Sequence, residues 1–104
     1  MDSDVFVSIR VKPSHIDGVG VFSDFDIPKN INIGRAVAKN NVSWPYVTQF
    51  GSKINHSFTP NTHLVEYHDE YYLVSSQFIP AGTEITANYN ATPWFIEKAK
   101  AWYR

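Results

Sequence analysis

The sequence contains no cysteine, which excludes disulfide staples, thiolate metal sites and a cysteine nucleophile, and is compatible with the intracellular location expected here. Methionine occurs once and leucine only at Leu64 and Leu73, so the usual stock of a helical bundle is thin. Valine, isoleucine, threonine and the aromatics are plentiful instead, the side chains that suit a pleated surface, and a mainly β fold is expected. There is no block of lysine or arginine and the formal net charge is −1, so the electrostatic footprint of a nucleic-acid binder is missing. No apolar run reaches membrane-spanning length, and Met1-Asp2-Ser3-Asp4 is acidic where a secretory signal is basic; a soluble chain with no membrane partner is expected. The 104 residues fit one domain spanning 1–104, which at this size buries about two-thirds of its unfolded surface.

Val5 to Lys12 is rich in β-branched residues and alternates from Val7, with Val7, Ile9 and Val11 facing one way, and so predicts a half-buried strand stopped at Pro13-Ser14. Gly18 and Gly20 turn the chain into a second strand, Val19 to Phe25. Phe25-Asp26-Ile27-Pro28-Lys29-Asn30 and Gln77-Phe78-Ile79-Pro80-Ala81-Gly82 read as the same corner used twice, with Asn30 and Gly82 suited to a left-handed position. Between Arg35 and Gly51, Ala36-Val37-Ala38 ends a strand, Asn40-Asn41 turns, and Pro45 opens a short helix. Thr62 to Tyr67 and Tyr71 to Ser76 flank His68-Asp69-Glu70 as a hairpin with a three-residue polar loop. Glu84 to Tyr89 reads as a strand, and Thr92-Pro93 caps a C-terminal helix from Trp94 to Arg104 with an aromatic stripe.

Lys53-Ile54-Asn55-His56-Ser57-Phe58-Thr59-Pro60-Asn61 is a polar cluster set between apolar and aromatic runs. Alone it reads as a rigid turn, because asparagine side chains bond to nearby backbone and end strands. A lone Gly-x-Gly is likewise an ordinary tight connection, one that lets the backbone take positive φ and lets another molecule approach the main chain. His63 and His68 read as surface residues of strand and turn. The four histidines have no paired spacing that suggests a metal, and His56 has no partner at a spacing that suggests a hydrolytic triad.

Taken in order, Gly18-Val19-Gly20-Val21-Phe22, Asn55-His56-Ser57-Phe58-Thr59-Pro60-Asn61 and Glu84-Ile85-Thr86-Ala87-Asn88-Tyr89 resemble the three motifs of the SET domain, the protein-lysine methyltransferase fold, and minimal viral and microbial members in particular. The middle motif is the specific one, and the resemblance runs from about Val19 to Tyr89. It implies a β-clip of small sheets with a C-terminal pseudoknot, in which the segment around Tyr89 threads beneath the loop before Asn55, followed by a short C-terminal helix. It implies S-adenosylmethionine as cofactor, with the backbone of Gly18, Val19 and Gly20 along its methionine part, the Asn55 amide on its amino group and the His56 backbone at its adenine. Trp94 stands where short members place an aromatic over that ring. Tyr89 would be the catalytic phenol at the junction with a lysine channel. The implied partner is a protein or peptide substrate carrying a lysine, histone or otherwise; some relatives form homodimers, with which the aromatic C-terminus is compatible, and a viral member would act in the host nucleus.

Methyl transfer from a sulfonium to an amine is an in-line displacement that needs positioning rather than metal or covalent help. The lysine must arrive neutral although its free pKa is about 10.4, and a dry aromatic channel beside a positive sulfur favours that form. A phenol at the junction can orient the amine and meet polarised methyl hydrogens. The chain departs from larger SET proteins in lacking flanking zinc cysteines, in a very short segment between Arg35 and Gly51, and in having Ala87 where some members carry a product-limiting aromatic. A second reading stays open at this level: related clip folds serve as non-enzymatic peptide-binding modules, as a degenerate SET domain would, and fold does not fix function.

Overall fold

In the computed structural model, which describes residues 2–42 and 45–88, the chain forms two four-stranded sheets. The first has the order β1 (Ile9–Pro13), β2 (Val19–Ser23), β8 (Glu84–Ala87), β5 (Asn55–His56), and the second the order β4 (Pro45–Val47), β3 (Asn32–Lys39), β7 (Glu70–Ser75), β6 (Thr62–Tyr67). All pairings are antiparallel except β5 with β8, which is parallel. This is the mainly β fold expected from the composition, in the small sheets that the family resemblance implies. The C-terminal helix and the threading of the segment at Tyr89 fall outside the described residues.

One core serves both sheets. Val21 and Ile85 come from the first, Ile33, Val37 and Leu73 from the second, and Phe50, Ile27 and Ile79 from the connections; all are 4% exposed or less. At about 25 cal/mol per Å² of apolar surface removed from water, residues of this kind supply most of the favourable free energy of folding.

Several local expectations are revised. The first strand is not continuous from Val5: Val5 bridges Gly34 and the Phe6 amide donates to Ile33 O at 2.9 Å, so the segment starts on the second sheet and only at Ile9 crosses to the first. The second strand is shorter than expected and stops at Ser23. β3 runs the full eight residues from Asn32 to Lys39, with bulges between Asn32 and Gly34 and between Arg35 and Val37. Pro45 begins an edge strand rather than a helix, a place where its missing N–H costs the ladder nothing. The helix in this region is α1 (Gln49–Ser52), and Thr48 caps it by accepting from Gly51 N at 3.0 Å while its hydroxyl donates to Arg35 O at 2.7 Å. The β6–β7 hairpin forms as expected, but on a two-residue turn: His68 and Asp69 both have positive φ (51° and 64°), the pairing a type I′ turn requires, and Glu70 already belongs to β7.

The repeated corner is real and reciprocal. Ile27 and Ile79 exchange both backbone bonds at 2.8 Å, and Asn30 and Gly82 take the left-handed conformation (φ 68° and 81°). Each corner is held by a buried serine that precedes the other one. Ser75 accepts from Asn30 N, donates its amide to Ile31 O and its hydroxyl to Pro28 O; Ser23 accepts from Gly82 N, donates its amide to Thr83 O and its hydroxyl to Pro80 O.

On the second sheet, Arg35 pairs with Asp4 at 2.6 Å and with Glu70 at 3.3 Å. Burial works against the charged form of Glu70, but the Lys39 amide, the Arg35 charge and hydrogen bonds from Arg35 and Tyr72 outweigh it and hold the carboxyl below the ordinary glutamate range.

Candidate functional site

The sharp chemistry of the sequence lies in three separate stretches, and the first sheet brings them together. β5 carries Asn55 and His56 and lies parallel to β8, with Asn55 opposite Thr86 and His56 opposite Ala87. β8 in turn pairs with β2, Val21 opposite Ile85 and Phe22 opposite Glu84. The middle and last motifs are thus strand neighbours, and the glycine motif borders them.

Asn55 is the hinge of this arrangement. Its side chain is buried, and Nδ2 faces three acceptors: Val19 O at 3.0 Å, Asp17 O at 3.1 Å and Glu84 Oε2 at 2.9 Å. An amide flipped the other way would set its oxygen against two carbonyls and a carboxylate, so the orientation is fixed by its surroundings, and Oδ1 remains as the acceptor end. Ser14 completes the group. Its hydroxyl donates to both Glu84 oxygens (2.8 and 3.0 Å) and accepts from Ile16 N, while Ser14 N closes the loop onto Gly18 O.

The two glycines do different work. Gly18 has φ +44° and open space where a Cβ would stand. Gly20 lies buried in β2, and a Cβ there would overlap the Glu84 carboxylate and come within 3.2 Å of Asn55 Nδ2. The close approach at Gly20 is therefore made by side chains of the chain itself. Val19, between them, is exposed.

β8 is clamped from its other side by residues that the sequence named only as part of a motif. Asn61 acts as a surrogate strand: Nδ2 donates to Glu84 O at 2.8 Å and Oδ1 accepts from Thr86 N at 2.9 Å. The Thr62 hydroxyl donates to Thr86 O at 2.7 Å, and Ser57 N donates to Ala87 O at 3.0 Å. The signal for Asn61 was the proline before it, which fixes the chain entering the buried amide. Ser14 has no sequence signal beyond residue type, and Glu84 none beyond its place at the start of the third motif.

His56 sits half-buried, its ring 4.5 Å from that of the exposed Phe58 in an edge-to-face contact. His63 and His68 are both exposed, as the sequence suggested; His63 Nδ1 shares a 2.7 Å hydrogen bond with Ser76 Oγ. A cleft of about 310 Å³ opens where β6 begins and β8 ends, lined by Pro60, Thr62, His63, Leu64, Ser76, Ala87 and Asn88. Tyr89 and Trp94, the two aromatic candidates, lie outside the described residues. Asn55, His56, Gly20 and the Gly18-Val19 segment are brought together on the first sheet.

Comparison with known proteins agrees with this geometry. The SET domain family model matches residues 22–90, a span that takes in both later motifs and begins just after the glycines. No curated protein matches the chain. Among solved structures, it is similar to a Plasmodium falciparum protein whose designation as a histone methyltransferase is provisional, at 19% identity and a TM-score of 0.66, over 88% of this chain and 99% of that one. That likeness carries the fold, a lysine methyltransferase-like one. The family model covers well over half of the sequence, and the chain belongs to the SET domain family.

Proposed function

We propose that this protein is an S-adenosylmethionine-dependent methyltransferase that modifies the side-chain amine of lysine in a protein or peptide. The observation that carries the reading is the parallel β5–β8 pair, which sets Asn55 and His56 beside Thr86 and Ala87 and so joins the middle motif to the last one. A peptide-binding clip has no need of that conjunction.

The residues fit the cofactor's chemistry. Its methionine part ends in an ammonium and a carboxylate. The acceptor end of the Asn55 amide suits the ammonium, and the unfilled space at Gly18 suits close approach to main chain. The His56 backbone would meet the adenine and Trp94 would cover it. When bound, the cofactor supplies a methyl group activated by a sulfonium. The chain's own part is to bind and orient. Asn55 would fix the donor end, the phenol oxygen of Tyr89 would orient the incoming amine, and a dry aromatic channel beside a positive neighbour would keep that amine neutral. The exposed Asp17, Glu66 and Asp69 favour a basic peptide as acceptor. The whole activity is assigned to residues 1–104 as one unit.

The direct test is thermal unfolding with S-adenosylmethionine or its demethylated product. A ligand selective for the native state at 100 times its Kd stabilises by about 2.7 kcal/mol. No shift with either at millimolar concentration moves the reading to a non-enzymatic module. Given binding, Tyr89→Phe is expected to abolish or greatly reduce methyl transfer and leave cofactor binding nearly intact.

A further inference from the structure

Glu84 opens the third motif and has no place in the scheme above. Its half-buried carboxylate meets no lysine or arginine among the described residues; it accepts instead from Ser14 Oγ and Asn55 Nδ2. Gly20 leaves exactly the room it occupies, since any side chain there would displace it. Its backbone is anchored on the sheet: Phe22 is its strand partner, and Asn61 Nδ2 donates to its carbonyl at 2.8 Å.

Of the other two acceptors of the Asn55 amide, Asp17 O belongs to the exposed turn that follows Ser14, and Val19 O to the first residue of β2, which pairs with Pro13. Both are neutral backbone carbonyls. Glu84 is the charged member. From β8 it accepts from the amide nitrogen through Oε2 and from the Ser14 hydroxyl through both oxygens, and a charged acceptor makes hydrogen bonds about twice as strong as a neutral one.

We infer that Glu84 is a positioning residue for cofactor binding: its carboxylate locks the Asn55 amide, acceptor end outward, and ties down the Ser14–Val19 segment beside it. This rests on the proposed use of S-adenosylmethionine. The lock needs an acceptor at that point rather than a negative charge. Glutamine at position 84 can still accept from Asn55 Nδ2 through its oxygen and donate to Ser14 Oγ through its nitrogen.

Cofactor affinity and steady-state kinetics of Glu84→Ala, Glu84→Gln and Ser14→Ala, together with the side-chain amide resonances of Asn55, test it. Glu84→Ala is expected to weaken S-adenosylmethionine binding about tenfold, Glu84→Gln and Ser14→Ala about threefold or less, with KM for the cofactor rising and kcat at saturation within about twofold. The Asn55 amide signals should move or broaden in Glu84→Ala and stay near their wild-type positions in Glu84→Gln. Equal losses in Glu84→Ala and Glu84→Gln would show that the charge itself attracts the cofactor, and overturn the lock, as would unmoved Asn55 signals in Glu84→Ala. If Glu84→Ala does not fold, the Glu84→Gln and Ser14→Ala values decide by the same limits. Wild-type protein that binds no S-adenosylmethionine overturns the proposed function instead, and the Asn55 signals still judge the lock.

Discussion

Replacing Gly51 by alanine tests how tightly α1 is seated on β3, and through it how Asn55 is delivered to β8. A Cβ at Gly51 would overlap Ala36 O and stand 3.0 Å from Ala36 C and Cα. These are backbone atoms of a central strand and cannot swing away as the end of a side chain could. The same carbonyl also accepts from Thr48 N at 2.9 Å and from the Thr48 hydroxyl, and that hydroxyl caps α1 by accepting from Gly51 N. Moving the helix off the strand to make room therefore strains all three bonds together. Overpacking a tight site costs about 1–3 kcal/mol, and weakening a helix cap adds about 1 kcal/mol, so a loss of about 3 kcal/mol is expected. For a domain near 100 residues each kcal/mol is worth about 4–8 °C in Tm, which puts the fall at roughly 12–24 °C by thermal unfolding. Gly82→Ala is the control. It sits in a left-handed corner with open space around it, and should cost only the conformational penalty of about 1–2 kcal/mol. A Gly51→Ala protein that melts within about 3 °C of wild type, or no lower than Gly82→Ala, would refute the argument from steric seating.

Three further outcomes follow from the described contacts. Asn61→Ala removes one donor and one acceptor that serve buried backbone of β8, and should destabilise by about 2–4 kcal/mol in urea denaturation, with cofactor binding weakened at temperatures where the variant is folded. Because the carboxyl of Glu70 is held below its ordinary value, it stabilises the fold above that value, and the contribution is lost as pH falls through the lower, native one. Glu70→Gln should thus be less stable than wild type near neutrality, with the gap closing in unfolding experiments below about pH 4. Phe50→Ala empties a site that is 0% exposed and should cost about 3–5 kcal/mol, read as a matching fall in the urea midpoint.

The sequence showed the parts of this site more clearly than their supports. Period-two alternation and turn residues marked the β6–β7 hairpin and the repeated Ile-Pro corners, since both depend on local backbone preferences that a short window expresses. Between Arg35 and Gly51 the strand end and the turn are legible locally, whereas the role of Pro45 is set by non-local partners. Pro45 looks like a helix starter in isolation, and becomes a strand residue only because Lys39 lies opposite it at a sheet edge. Asn55 stood out as chemistry, while Ser14 and Glu84, which hold it, did not. Their roles arise from a meeting of residues 14, 55 and 84 that no local pattern encodes. At Gly20, the space that a Cβ would need is taken by the Glu84 carboxylate, which the sequence does not reveal.

The exchanged serines bear on how this chain becomes native. Ser23 secures the bend at Pro80, and Ser75 secures the bend at Pro28, so each half of the molecule carries the fastener for the opposite half and lacks its own. Neither can finish alone. Closure must wait until segments some fifty residues apart have found one another, which makes assembly late, concerted and slow for a protein of this length. Separately made halves should remain unstructured apart and recover order only when mixed.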